Sequence, residues 1–127
     1  MNKQAYIDKV ESYFAALDGR RLDDTLSYFQ KNAVFTIQSA FITCEGRDEG
    51  IREMFTGFLD TYESILHTDF EHIVDPESQS ISSRFRVELD NRDGSHETKQ
   101  SVNQWYFSDG LFQRVYVWIS GDNVLGG

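Results

Sequence analysis

A single proline and a single cysteine are all that 127 residues hold of either. With Pro76 alone there is no Pro-rich linker. No low-complexity stretch or internal repeat divides the chain, so one domain is expected over 1–127. With Cys44 alone no intrachain disulfide can form, which fits a reducing cytoplasm. No apolar run approaches the roughly 18 residues of a membrane-spanning helix. Met1-Asn2-Lys3-Gln4 is followed by no apolar secretory segment. Cations are scarce: 12 Lys and Arg against 21 Asp and Glu leave a net charge of −9. That balance repels nucleic-acid phosphates and anionic membrane surfaces, so neither is an expected partner. Arg84 and Arg86, two apart, read as a solvated strand face. There is also no G-x-S-x-G, P-loop, G-x-G-x-x-G or C-x-x-C pattern, so no cofactor is implied.

What the chain does have is aromatic residues, 10 Phe, 6 Tyr and 2 Trp, at 14% in total. Their usual destinations are a core, a lined pocket or a subunit interface. Tyr6, Val10, Tyr13, Phe14 and Leu17 recur at helical spacing, with Asn2 as the capping residue and Asp18-Gly19 as the stop. A shorter helix with Leu22, Leu26 and Phe29 inward follows, Asp23 and Asp24 in its first turn. The period then changes to two β-rich runs, 33–37 and 41–44. Asp48 is expected to cap a third helix carrying Ile51, Met54, Phe55, Phe58, Leu59 and Tyr62 on one face. Strands are expected over 65–74, 79–89, 97–107 and 111–120, with a hairpin at Asp109-Gly110. The order ααββαββββ gives an α+β fold. Three helices cover the concave face of a cone-shaped, curved antiparallel sheet and leave an apolar cavity between the layers.

Specific segments resemble the nuclear transport factor 2-like superfamily, and within it the SnoaL-like and ketosteroid-isomerase-like branch. Tyr13-Phe14-Ala15-Ala16-Leu17-Asp18-Gly19 resembles that family's first helix and its exit turn. Leu26 through Phe29 with Ala33-Val34-Phe35 resembles the following helix, acidic turn and strand. Gly46-Arg47-Asp48 with Ile51 and Phe55 resembles the start of the third helix. Phe85-Arg86-Val87-Glu88 and the Asp109-Gly110 hairpin resemble the later sheet. The resemblance spans nearly the whole chain and implies one SnoaL-like domain of the cystatin-like type. It implies no single reaction, since the fold hosts isomerases, cyclases, dehydratases, hydrolases and non-enzymes.

Isomerase chemistry in this family uses a carboxylate base, a tyrosine and a protonated aspartic acid. By resemblance Tyr13 matches the tyrosine. Ile37 falls where the base should be and Asn103 where the protonated acid should be. Isoleucine cannot take a proton, so true ketosteroid isomerase activity is not expected. An amide still donates a hydrogen bond, so Tyr13 and Asn103 form a candidate oxyanion site. The alternative is Tyr13 as a core residue with a satisfied hydroxyl.

His67, Asp69 and Glu71 alternate along one strand and on that spacing share a face. Related cyclases and dehydratases use His and Asp from such strands as acid and base, which makes His67 and Asp69 the candidate proton carriers. In the alternative that face meets solvent, and Leu66, Phe70 and Val74 point inward. Three alternating strand residues rarely converge on one ion without a fourth ligand, so no metal is expected. Phe35, Ile37, Phe55, Phe85, Val87 and Trp105 are candidate ligand-binding walls and equally candidate core. Cys44 lacks local activation and reads as an inert thiol. Tyr116 and Trp118 alternate with Val115, Val117 and Ile119, so both faces of the last strand are apolar. One is the core, the other an expected homodimer interface on the outer sheet face.

Three readings therefore stand side by side. They are a cofactor-free proton-transfer enzyme (an isomerase, cyclase or dehydratase type) on a small apolar, polyketide- or steroid-like carbonyl compound, a non-catalytic binder of such a molecule, and a protein-interaction domain. An inward His67 or Asp69 with a shifted pKa favours the first. A pocket without titratable groups favours the second, and a collapsed, filled pocket the third.

Overall fold

Asn2 starts the first helix as the sequence predicts. In the computed structural model, which describes residues 1–125, its Oδ1 accepts the Ala5 N–H at 2.8 Å. Helix α1 (Lys3–Asp18) buries Tyr6, Val10, Tyr13, Phe14 and Leu17, the expected stripe, and Gly19 closes it. Helix α2 (Leu22–Leu26) is a single turn and a half. Strand β1 (Phe29–Ile37) begins four residues ahead of the run at 33–37, because Phe29 already pairs with Phe112 across an irregularity in the ladder. Phe41, in the left-handed region at φ +57°, turns the chain into β2 (Ile42–Glu45).

Asp48 does not cap the third helix. Its carboxylate is held by its neighbour Arg47, at 3.0 and 2.9 Å. The chain enters α3 (Arg52–Thr61) through a wide π-helical turn over Gly46–Ile51. That turn needs Gly50, where a Cβ would lie 2.8 Å from the Glu45 carbonyl oxygen. Helix α3 buries Met54, Phe55, Phe58 and Leu59, as the spacing predicts, and the helix stops before Tyr62. Two guanidinium groups wrap its end. Arg20 donates to the carbonyls of Leu59, Tyr62 and Glu63, and Arg92 to those of Asp60, Leu59 and Tyr62.

Strands β3 (Tyr62–Asp75), β4 (Ser80–Asn91), β5 (His96–Ser108) and β6 (Leu111–Ile119) form an antiparallel meander. Asp109 and Gly110, at φ +52° and +75°, make the β5–β6 hairpin with both central residues left-handed. The sheet order is β2-β1-β6-β5-β4-β3. One pair departs from the antiparallel expectation: β1 runs parallel to β6, so the six-stranded sheet is mixed. It is curved and unclosed, and the helices lie on one face, as expected for the fold class. Among the described residues no helix is long and apolar enough to cross a membrane.

Candidate functional site

Strand β3 sets the site through a bulge. Its register against β4 shifts between Thr68 and Glu71, and Asp69 within the shift has φ +59°. One extra residue in a ladder moves every later side chain to the opposite face. Ile65 and His67 therefore point toward the helices before the bulge, and Phe70, His72 and Val74 do so after it. This corrects the expectation that His67, Asp69 and Glu71 share a face. Asp69 and Glu71 lie outside, more than half exposed, paired with Arg86 and Arg84. Asp69 thus lies on the face opposite His67, and Arg84 and Arg86 are paired with carboxylates on the outer surface.

His67 is 6% exposed in its side chain and stacks on Phe14, ring centroids 4.2 Å apart. Asp18, the last residue of α1, holds it twice. Oδ2 accepts the His67 backbone N–H at 2.8 Å, and Oδ1 lies 2.6 Å from ring Nδ1. A carboxylate only accepts, so Nδ1 carries the hydrogen, and in the neutral ring Nε2 then holds the lone pair. Among the described residues Nε2 has no hydrogen-bond partner.

His67 forms one wall of a cavity between sheet and helices. Tyr13, Phe35, Phe55, Phe85, Val87 and Asn103 line it too, each a candidate from the sequence. Burial pushes the Tyr13 phenol far above its ordinary pKa, and the Asp18 carboxylate adds to the shift, so the hydroxyl stays a donor. Asn103 is 4% exposed; its Oδ1 accepts from the Ser101 hydroxyl at 3.0 Å. Among the described residues no hydrogen bond is made by the Tyr13 hydroxyl or by the Asn103 nitrogen.

Ile37 and Trp105, also candidate walls, are fully buried but do not line the cavity. Trp105 is closed in by the rings of Tyr13, Phe14 and Phe112. Asp18 was not among the sequence candidates, although it stands four residues after Phe14 and thus on the same helix face. Nor were Val124 and Leu125, which also line the cavity.

The cavity is small, about 30 Å³, room for one or two waters. An inward histidine and a nearly filled pocket point to different readings, and Val124 and Leu125 of the tail are among the residues that line the pocket. A larger cleft of about 710 Å³ lies next to it, between β2, α3 and the tail. Cys44 lines that cleft, and burial together with Glu53 pushes its thiol pKa up, which leaves it protonated and unreactive. On the outer face, Gln104, Tyr106, Arg114, Tyr116 and Trp118 border a shallow groove, with Arg114 stacked over Tyr116 at 4.2 Å.

The sequence matches the profile of the SnoaL-like domain over residues 4–121. Comparison with curated proteins finds no match. Among solved structures, one described as a polyketide cyclase from Xanthomonas campestris superposes with a TM-score of 0.82 at 15% identity, covering 93% of this chain and 92% of that one. One described as an isomerase from Bacillus subtilis gives 0.82 at 15%, over 94% and 90%. TerC, co-crystallised with polyporic acid, gives 0.76 at 17%, over 89% of both chains. At these identities the likeness is one of fold alone.

Proposed function

Because the chain belongs to the SnoaL-like family, we propose that it is a proton-transfer enzyme of the isomerase, cyclase or dehydratase type, acting on a small apolar ring compound with a carbonyl group. The observation that carries this reading is the Asp18–His67 pair on the wall of an apolar cavity. The pair needs no group beyond its own side chains.

In the proposed step, His67 Nε2 takes a proton from the carbon next to the carbonyl. The C–H electron pair moves into a C–C double bond, and the carbonyl oxygen becomes an enolate. Tyr13 and the Asn103 amide donate hydrogen bonds to that oxygen as its charge grows. The imidazolium is stabilised by Asp18 and returns the proton to a second carbon, or to a leaving hydroxyl in a dehydration. Ile37 offers no base of its own, so turnover of steroid enones near that of a true isomerase is not expected. Residues 1–127 are read here as a single SnoaL-like domain, in line with the span of the family match.

The test needs no known substrate. A panel of cyclic ketones and aromatic ring ketones is incubated with the chain in deuterium oxide, and exchange at the α-carbon is followed by NMR. Exchange above the buffer rate is expected for at least one ring ketone. His67→Gln should remove about 10²- to 10⁴-fold of it, the usual share of a general base. No exchange across the panel, or exchange untouched by His67→Gln, would overturn the reading.

A second reading concerns assembly rather than chemistry. Val102, Tyr106 and Trp118 are each about two-fifths exposed on the outer face, beside Tyr116. Such a patch supports a homodimer through the sheet.

A further inference from the structure

Two side chains border both the inner cavity and the outer cleft: Phe58 of α3 and Val124 of the tail. Leu125 lines the cavity beside them. The space that holds His67 and the much larger space outside are therefore neighbours across a thin apolar partition.

The tail reaches that partition by local geometry. Gly121, at φ +71°, turns the chain off the end of β6, where a Cβ would meet Lys99 Nζ at 2.8 Å. Asn123 then folds the chain on itself. Its Oδ1 accepts the Leu125 N–H at 3.2 Å and its Nδ2 donates to the Leu125 carbonyl. Among the described residues no hydrogen bond or ion pair ties 121–125 to the rest of the chain. Leu125 is 9% exposed and Val124 half-buried, so among the described residues apolar burial is what holds the segment. A segment held this way opens at far lower cost than the paired strands around it.

We propose that Val124 and Leu125 form a gate, and that the opened cavity and the cleft together make one elongated binding site. It takes a ring against His67 and a polar, non-anionic arm along the cleft. The place of the ring rests on the proton-transfer reading above; the class of the arm comes from the cleft itself. Glu45 and Glu53 line it, and neither has an ion-pair partner among the described residues. Thr43, Thr61 and Asn123 add polar groups, and the described lining holds no Lys, Arg or His. A carboxylate or phosphate arm would be repelled by these two carboxylates, whereas a neutral arm would not and a cationic arm would be attracted.

The probes are two naphthalenes whose four-carbon arm extends from the ring into the cleft, the alcohol 4-(1-naphthyl)butanol and the acid 4-(1-naphthyl)butyrate, with binding to the full chain followed by stopped-flow fluorescence. Replacing both Val124→Gly and Leu125→Gly should speed association of the alcohol at least about tenfold, because access then no longer waits for the gate. Gly57→Trp fills the cleft from a helix position where a Cβ meets nothing within 4 Å. It should slow association at least about tenfold, and it tests the same route if the gate variant does not fold. The acid should bind at least about tenfold more weakly than the alcohol. Equal rates for the alcohol in the unmodified chain and the variants, or no binding of the alcohol at all, overturn the gate and the joined site. Equal affinity for the two probes overturns the charge preference. These rates report access and not chemistry. A failed gate beside intact, His67-dependent proton exchange leaves proton transfer standing, and the reverse result leaves the gate standing.

Discussion

At the scale of single residues, Asp18 ties the end of α1 to β3 through both of its oxygens, one on backbone and one on imidazole. Asp18→Asn keeps the shape but loses the charge that steadies an imidazolium and one of the two acceptors that hold His67. Its exchange rate should fall by on the order of 10²-fold. Stability should fall by roughly 1–3 kcal/mol, since a buried hydrogen bond to a charged group is lost. Solvent-exchange NMR and urea titration of the same preparation separate the two effects. The family resemblance singles out Tyr13, and the analogy with related cyclases and dehydratases singles out His67; both line the cavity, although the plain strand period that grouped His67 with Asp69 and Glu71 does not hold. Asp18 was hidden, because an Asp-Gly pair at the end of an amphipathic run signals a helix stop whatever else the carboxylate does. Val124 and Leu125 were hidden too. A short apolar pair after the last strand carries no period to read.

At the scale of elements, the bulge in β3 decides which side chains meet the helices. It could not be read from 65–74, where Leu66 and Ile73 are exposed and Ile65 and Val74 face inward. Apolar residues on both faces conceal a change of phase. The bulge depends on Asp69 at φ +59°, a conformation that aspartate tolerates and a β-branched residue does not. Asp69→Val should therefore cost about 1–3 kcal/mol, while Asp69→Gly should be close to neutral. Thermal melts of the two variants give the comparison, and equal melts would show that backbone strain is not the cause. The late start of α3 has a similar origin. Arg47 takes the carboxylate that would have capped it.

At the scale of the whole molecule, the outer sheet face combines an apolar patch with a charged one. If the patch is a dimer interface, Trp118→Asp should convert dimer to monomer in sedimentation at micromolar concentration, since burying unpaired charges costs several kcal/mol. A native chain already monomeric there would contradict it. The charged part centres on His96, whose pKa is raised by hydrogen bonds to Asp90 and then Glu88, while those two carboxylates are lowered. The histidine's contribution is complete below its ordinary value of 6.5 and is lost as pH rises through its raised pKa. The carboxylates contribute above their ordinary 3.8 and 4.5, and lose that contribution as pH falls through their lowered values. The cluster therefore stabilises most between pH 4.5 and 6.5. His96→Gln should narrow the drop in melting temperature between about pH 6 and about pH 9, and an unchanged drop would count against the cluster. The effect should be small, because all three groups are exposed.

The strand order carries a consequence for how the chain comes to be folded. Strand β6 is inserted between β1 and β5, so the earliest strand waits for the latest before its inner edge is paired. On a ribosome, Phe29 through Ile37 would emerge some eighty residues before their partner, with Phe29, Ala33, Phe35 and Ile37 all destined for the core. Until residue 117 is free, the growing chain presents an unpaired apolar edge to every neighbour. Synthesis, more than the finished protein, is the stage at which this molecule is open to aggregation and to chaperones.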